Sequence, residues 1–443
     1  MAASGRVALV SRSPGETRIA LVEGGSVVEI HLFRDCRPVV GSIVPGLVIQ
    51  HLPACQAVLV DIGAEDPGFL PVKGSPGRPP LPEGTRLPVQ VVHEPRRGKG
   101  ARLGLDVSIA GHGLILTPSR PGLTFSSSLR DPGQRELLQA CLLPVLCAGE
   151  GLVVRPEACS MQPDALIREL DTLRARYQSV LAGGTDCPLP LSVALSGRHV
   201  EDVVCDDADL LLKMRSAGFT VRLWDGPGSL LSTMDCDAVL GGALARRVPL
   251  GAKGCLWIEP TAALTAIDVD SGGDNPDEVN VRAVAEIARQ IRLRALAGMI
   301  VVDFIAPQRG GARPAKKALA QALEDALSMD CVPSTVLGVS GLGLVEIRRD
   351  RTRTPLGEII LSPAQGGEAD ILPETSALDS LRAALDVLRS TRAARVSLRV
   401  SPVLHALLTG RLAPALEEAG RKAGSPVGLE IVPSYPASRY EVA

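Results

Sequence analysis

The chain has 443 residues and a formal net charge of −2, with 45% apolar and 22% charged residues. This composition excludes wholesale disorder, and the length suits two to four domains. The slightly negative charge argues against a general nucleic-acid coat protein, and 2% aromatics argues against binding over many stacking platforms.

Apolar runs such as 140–148 and 299–305 are too short to cross a bilayer, and the N-terminus has no charged start before a long apolar stretch. The expectation is a cytoplasmic protein with no membrane segment. Ten cysteines without C-x-x-C spacing read as reduced, mostly buried thiols.

In chain order, Arg18–Phe33 holds two β-rich runs around Gly24-Gly25, a hairpin signal. Runs at 42–52, 56–63, 68–72, 86–95 and 101–111 alternate with turn residues and predict a small β-barrel of the OB type. A strand at 114–118 precedes a helix with Asp131 as N-cap and Pro132 at N1. Residues 151–158 read as strand, and 162–184 as an amphipathic helix ending at Gly183-Gly184. Residues 189–249 are mixed.

The stretch 251–360 is the most informative. Residues 263–270 form a strand. A helix follows over 275–298, with Asn275 as cap, Pro276 at N1, Glu278 at N3 and Gly298 at its end. Then come a strand at 299–305, a helix at 314–330, and strands at 334–339 and 342–349. This alternation predicts neighbouring parallel strands joined by right-handed crossovers. Beyond a Gly-rich linker at 365–370, a small α/β unit closes the chain.

Alternation puts Asp268 and Asp270 on one face at the end of their strand. If the capped helix joins adjacent parallel strands, Asp268 lies beside Asp303, at the carboxyl edge where α/β sheets bind ligands. Two such carboxylates call for a compensating cation, and oxygen ligands favour Mg2+, with Mn2+ as an alternative. The competing reading makes both aspartates ordinary strand-end residues.

Several segments in order resemble the ribonuclease E/G family: TAIDVDSGG, EIARQIRLR, GMIVVDFI and LGLVEIRRDR, with VDIGAEDPGFLPV, GEGLVVR and the final VGLEIVPSYPASRYEVA outside that core. The resemblance spans nearly the whole chain. It implies a multidomain α+β and α/β protein. An RNase H-like subdomain (1–34 and 185–245) would carry an inserted OB-type barrel (35–110) and a 5′-sensor subdomain (111–184). A DNase I-like catalytic domain (246–362) and a linker with a small C-terminal domain (363–443) would follow. It implies Mg2+-dependent hydrolysis of single-stranded RNA to 5′-phosphate and 3′-hydroxyl ends, in processing or decay. Asp268 and Asp303 match the metal-binding aspartates, and Asp270 stands where the family has an asparagine that orients water or the scissile phosphate. Phe69 matches a base-stacking aromatic, against the alternative of a barrel-core Phe; Lys99 matches a basic loop position, against a solvated lysine. Arg155 matches half of the 5′-phosphate grip.

The sequence also departs from that pattern. Ser362 and Gln365 replace the thiolates of the family's zinc link, so neither structural Zn2+ nor a zinc-linked dimer is expected. Pro156 replaces the threonine after Arg155, which predicts little preference for 5′-monophosphate ends. Ser126-Ser127-Ser128 and Gly341 replace arginines. The arginine clusters 289–294, with Arg292, and 348–353, with Arg348, read either as RNA contacts or as a solvated face. The rival function is a catalytically weak or inactive descendant that binds RNA or a protein.

Overall fold

The computed structural model describes the chain except residues 1–4, 65, 73–80, 97–98, 197, 199, 227, 252, 307–311, 363–368 and 392–394. It forms two compact units, one of Asp35–Val193 and Leu212–Thr220, the other of Met1–Arg34, Ala194–Leu211 and Val221–Ala443. Among the described residues no helix is long and apolar enough to cross a membrane, and all ten cysteines are free.

The first unit contains a closed barrel of five strands, Ile43–Leu52, Ala57–Asp61, Gly68–Pro71, Arg86–His93 and Arg102–Gly104. Around the barrel they run first, second, third, fifth, fourth. Alternation fills the interior with Val58, Val60, Leu70, Val89, Val91 and Leu103. The expected strand 101–111 is split. Arg102–Gly104 stays in the barrel, and Ile109–Ala110 joins a separate four-stranded sheet. The Gln90 side chain takes over the ladder at the break, accepting from the Ser108 backbone N–H at 3.0 Å and donating to the Ser108 carbonyl at 2.8 Å.

That second sheet runs Gly122–Phe125, Gly151–Val154, Leu114–Leu116, Ile109–Ala110. The helix Pro163–Leu181 buries Leu166, Leu170, Leu173 and Val180 in the cluster shared with this sheet. The shorter helix Pro132–Leu142 is capped as its sequence predicts, Asp131 accepting from Gly133 N–H at 3.0 Å.

In the second unit, Arg6–Ser13, Glu16–Glu23 and Ser26–Arg34 form an antiparallel meander. Gly24 and Gly25, both at positive φ (55° and 77°), make the expected hairpin turn. Asp202–Cys205 and Arg222–Leu223 extend this sheet in parallel. A three-stranded sheet of Gly428–Ile431, Ser397–Val400 and Tyr440–Val442 lies near the C-terminus.

A charge network within this unit ties the meander to the helix Pro373–Thr391. Glu16 accepts from Arg18 at 2.7 Å, Arg34 at 3.0 Å and Arg382 at 3.0 Å. Arg34 also donates to Glu374 at 2.9 Å, to Thr375 at 2.8 Å and to the Ile359 carbonyl at 3.0 Å. Burial pushes the Glu16 carboxyl up, but the guanidiniums of Arg18, Arg34 and Arg382 outweigh it and hold it at about 2.

The six-stranded sheet runs Arg247–Pro249, Cys255–Pro260, Thr265–Asp270, Gly298–Asp303, Val345–Arg349, Ser334–Val339. Only Thr265–Asp270 and Gly298–Asp303 pair in parallel. The expectation of a run of parallel neighbours is therefore corrected. Val345–Arg349 returns as a hairpin and inserts antiparallel between Gly298–Asp303 and Ser334–Val339. The helices Pro276–Arg294 and Ala312–Leu327 cover one face with a shared core that includes Ile267, Val269, Ile287, Ile291, Ile300, Val302 and Leu323.

Arg34→Ala takes one of three guanidiniums from the buried Glu16, so it should destabilise this unit by roughly 1.5–3 kcal/mol, read as a lowered melting temperature. The depressed Glu16 carboxyl contributes stability above its ordinary 4.5, lost as pH falls towards about 2. An acid-stability profile of wild type that is no steeper than the variant's over that window contradicts the assignment.

Candidate active site

The helix between the two parallel strands sets the site. Asn275 accepts from Asp277 N–H at 3.0 Å, and Pro276 occupies N1. Val279, Ala283, Ile287 and Ile291, at successive i+4 positions, are all fully buried. The helix ends at Arg294 rather than at Gly298, which instead opens the next strand. Ala295 takes the left-handed cap (φ 54°), its N–H donating to the Ile291 and Arg292 carbonyls. Burial of Ala295 and Leu296 in the core offsets the strain of that non-glycine cap. Asn280, unremarked in the sequence, ties the same helix to the strand end. Its amide donates to the Ile305 carbonyl at 2.9 Å and accepts from the Ile305 N–H at 3.1 Å.

With both strands held, Asp268 lies opposite Asp303 in the parallel register. Ile267, Val269 and Val302 point into the core, while Asp268, Asp270 and Asp303 are exposed on the opposite face. Partial burial, then the charges of Asp303 and Asp270, push the Asp268 carboxyl above its ordinary range. Lys316, on the following helix, donates to Asp303 at 2.9 Å and is itself largely covered. Among the described residues no cationic group pairs with Asp268. Asp270 turns one oxygen to the Gly272 N–H at 2.9 Å, closing its own turn.

The three carboxylates thus do not converge equally. Two face each other and the third caps a loop; among the described residues no group of three or more candidate ligands surrounds one point. Two facing carboxylates are nevertheless a donor set that suits Mg2+, which takes one or two carboxylates and fills its octahedron with water and substrate oxygens. Partial burial first, and then the neighbouring carboxylates, disfavour the charged form of Asp268, and a cation beside it would offset both. On the other side of Asp268, its antiparallel neighbour is Trp257.

The other expected residues are placed as follows. Phe69 is half-buried on the outside of the barrel, because Leu70, at 0% exposure, takes the interior position. Exposed Arg102 is its strand neighbour. Lys99 is exposed and exchanges reciprocal backbone hydrogen bonds with Arg96. Arg155 donates to the Gly111 carbonyl at 3.0 Å and lies 3.5 Å from Glu157. Pro156 starts a 3-10 turn immediately after it. Ser362 donates to the Asp370 carbonyl at 3.0 Å; Gln365 is outside the described residues.

The arginine clusters correct the sequence reading. Arg292 is largely buried and pairs with Glu23 at 2.9 Å and Glu29 at 3.2 Å. Arg289 holds Glu286, Arg294 holds Gln290 and two backbone carbonyls, and Arg349 holds Asp330. These are internal struts rather than a solvated face. Arg348 differs: it is exposed on the open face opposite Met299, four residues before Asp303, about 13 Å along the strand.

Comparison with known proteins agrees with the resemblance seen in the motifs. A family model described as the ribonuclease E/G family matches residues 108–352. Ribonuclease G of Escherichia coli (strain K12) is 29% identical over 486 aligned positions, covering 98% of this chain and 98% of that protein. Ribonuclease G of Haemophilus influenzae is 29% identical over 80% of this chain and 81% of its own length. Ribonuclease E of Escherichia coli (strain K12) is 29% identical over 77% of this chain, which corresponds to 36% of that protein.

A carboxyl whose ordinary pKa is raised by the fold stabilises it most when protonated, and that contribution is lost as pH rises past the raised value. Asp268→Asn should therefore raise the melting temperature near neutral pH in chelator, since it removes the repulsion. A lowered melting temperature there contradicts the like-charge reading.

Proposed function

The chain belongs to the ribonuclease E/G family, and on that premise we propose that it is an endoribonuclease whose chemistry takes place at Asp268 and Asp303. The observation that carries this reading is the direct register of those two carboxylates on the open face of the sheet. Two like charges held side by side by strand register repel each other and suit a cation between them.

The substrate is single-stranded RNA, and the reaction is phosphodiester hydrolysis in RNA processing or decay. A water oxygen bonds to phosphorus, the bond from phosphorus to the 3′ oxygen breaks, and that oxygen takes up a proton. The products carry a 5′-phosphate and a 3′-hydroxyl. Asp268 and Asp303 would hold Mg2+, with Mn2+ as a substitute. When bound, the metal supplies positive charge for the phosphate and lowers the pKa of water. Asp270 keeps one carboxylate oxygen free of its turn hydrogen bond, suited to orienting that water. Lys316 balances Asp303.

The OB-type reading of 35–110 is supported by the first, second, third, fifth, fourth order of its closed barrel. Phe69 on its outer surface, with Lys99 exposed, suits stacking and phosphate contact with RNA. The antiparallel meander extended by two parallel strands supports an RNase H-like subdomain at 1–34 and 185–245. We assign 111–184 as the 5′-sensor-like part, where Arg155 is committed to Gly111 and Glu157. Residues 246–362 are the DNase I-like catalytic part, and 363–443 the linker and C-terminal part. Arg348 is kept as an RNA contact; Arg292, committed to two glutamates, is not.

One observation favours the rival function of RNA or protein binding without cleavage. Lys316 already neutralises Asp303, so a metal must displace it. The two readings separate on an A/U-rich single-stranded RNA incubated with Mg2+. The enzyme reading expects cleavage that falls by at least about 100-fold in Asp303→Asn and Asp268→Asn, with binding retained. Binding without cleavage by folded wild type supports the rival.

A further inference from the structure

We propose that Trp257 is a stacking platform for an unpaired nucleobase of the RNA beside the scissile phosphate, with Arg247 next to it as a phosphate contact. The inference rests on the endoribonuclease reading of Asp268 and Asp303 and assigns it a base-binding subsite.

Ten aromatic residues are present in the chain (5 Phe, 3 Tyr and 2 Trp). Trp257 alone among them is exposed, at 40%. Its strand neighbours Leu256 and Ile258 are at 0% exposure, so the strand is firmly seated and the indole points away from the core. Trp224, by contrast, is half-buried, packs against a core cluster and donates to the Gly228 carbonyl at 3.3 Å. An exposed indole on a firmly seated strand presents a flat apolar face held in a fixed position, which suits stacking.

Its position identifies that occupant. The pairing register of four consecutive strands sets Arg247 opposite Trp257, Trp257 opposite Asp268, and Asp268 opposite Asp303. Cross-strand partners share a face, so the row reads cation, ring, acid, acid, at about 4.8 Å per strand. Arg247 is exposed at the edge of the sheet. A nucleic acid strand crossing the row presents the same alternation of phosphate and flat base. A phosphate at the acidic pair leaves its adjoining base within reach of the indole, and Arg247 suits the next phosphate. An apolar peptide would match the ring but neither flank. Stacking tolerates every base yet favours purines by their larger π-face, so the platform imparts a purine bias next to the cut rather than strict sequence reading.

The test uses the full chain in chelator, titrated with a short A/U-rich single-stranded oligoribonucleotide and with the same oligonucleotide carrying an abasic site. Intrinsic tryptophan fluorescence is followed for wild type and Trp257→Phe, and affinity for Trp257→Ala as well. Wild type is expected to show quenching that Trp257→Phe lacks. Trp257→Ala should bind roughly 5- to 100-fold more weakly, Trp257→Phe should keep most of the affinity, and an abasic site at the stacked position should erase the difference. In cleavage with Mg2+, Trp257→Ala should raise KM while kcat and its pH profile stay close to wild type. Because the side chain is exposed, circular dichroism and melting temperature should be unchanged.

Equal affinity of wild type and Trp257→Ala, or equal loss with the intact and abasic oligonucleotides, overturns the platform. If cleavage proceeds but is indifferent to Trp257, the platform fails and the endoribonuclease reading stands. If quenching depends on Trp257 but no cleavage occurs, the platform stands and the endoribonuclease reading fails.

Discussion

The parallel ladder between Thr265–Asp270 and Gly298–Asp303 forces two carboxylates to face each other, and much of the surrounding structure acts to keep that register. Nothing in the pair favours the arrangement. At neutral pH the two groups repel, and partial burial together with that repulsion raises the Asp268 carboxyl. The opposing terms are ordinary ones: a capped helix, an i+4 stripe of fully buried side chains on it, and the amide of Asn280 fixed to the Ile305 backbone. Each fully buried Val, Leu or Ile contributes about 1.5–3 kcal/mol. A few of them outweigh the strain of one repulsive pair, which is how a fold can hold a site its own electrostatics oppose.

Charge elsewhere in the same unit is spent internally. Arg34, Arg289, Arg292, Arg294 and Arg349 each hold a carboxylate, an amide or a backbone carbonyl. These five arginines are therefore committed within the unit. On the function proposed above, RNA recognition would use Phe69, Lys99 and Arg102 on the barrel, and Arg247, Trp257 and Arg348 on the six-stranded sheet.

The sequence made some of this legible and not the rest, for physical reasons. The Gly24-Gly25 hairpin, the Asn275-Pro276 cap and the Asp268–Asp303 register follow from local rules, because turn chemistry, capping and alternation act over a few residues. The strand Arg6–Ser13 and the final Tyr440–Val442 were missed, since RVALVSRS and YEV carry little alternation of their own and are defined by their partners. Gly298 misled as a helix end because a buried alanine can take the left-handed cap. Arg292 is misread because its partners, Glu23 and Glu29, lie more than two hundred residues away. Lys316 and Trp257 share that difficulty. One arrives from the next helix, and the other depends on the register of an antiparallel neighbour that no pattern fixes.

The central claim is that Asp268 and Asp303 together hold one divalent ion. Anomalous diffraction from crystals soaked in Mn2+ tests it most directly. The account predicts a single strong peak between the two carboxylates, at about 2.1 Å from an oxygen of each, with the Lys316 ammonium drawn away from Asp303. Full occupancy by manganese elsewhere, with Lys316 still bonded to Asp303 and no density at the pair, would contradict it.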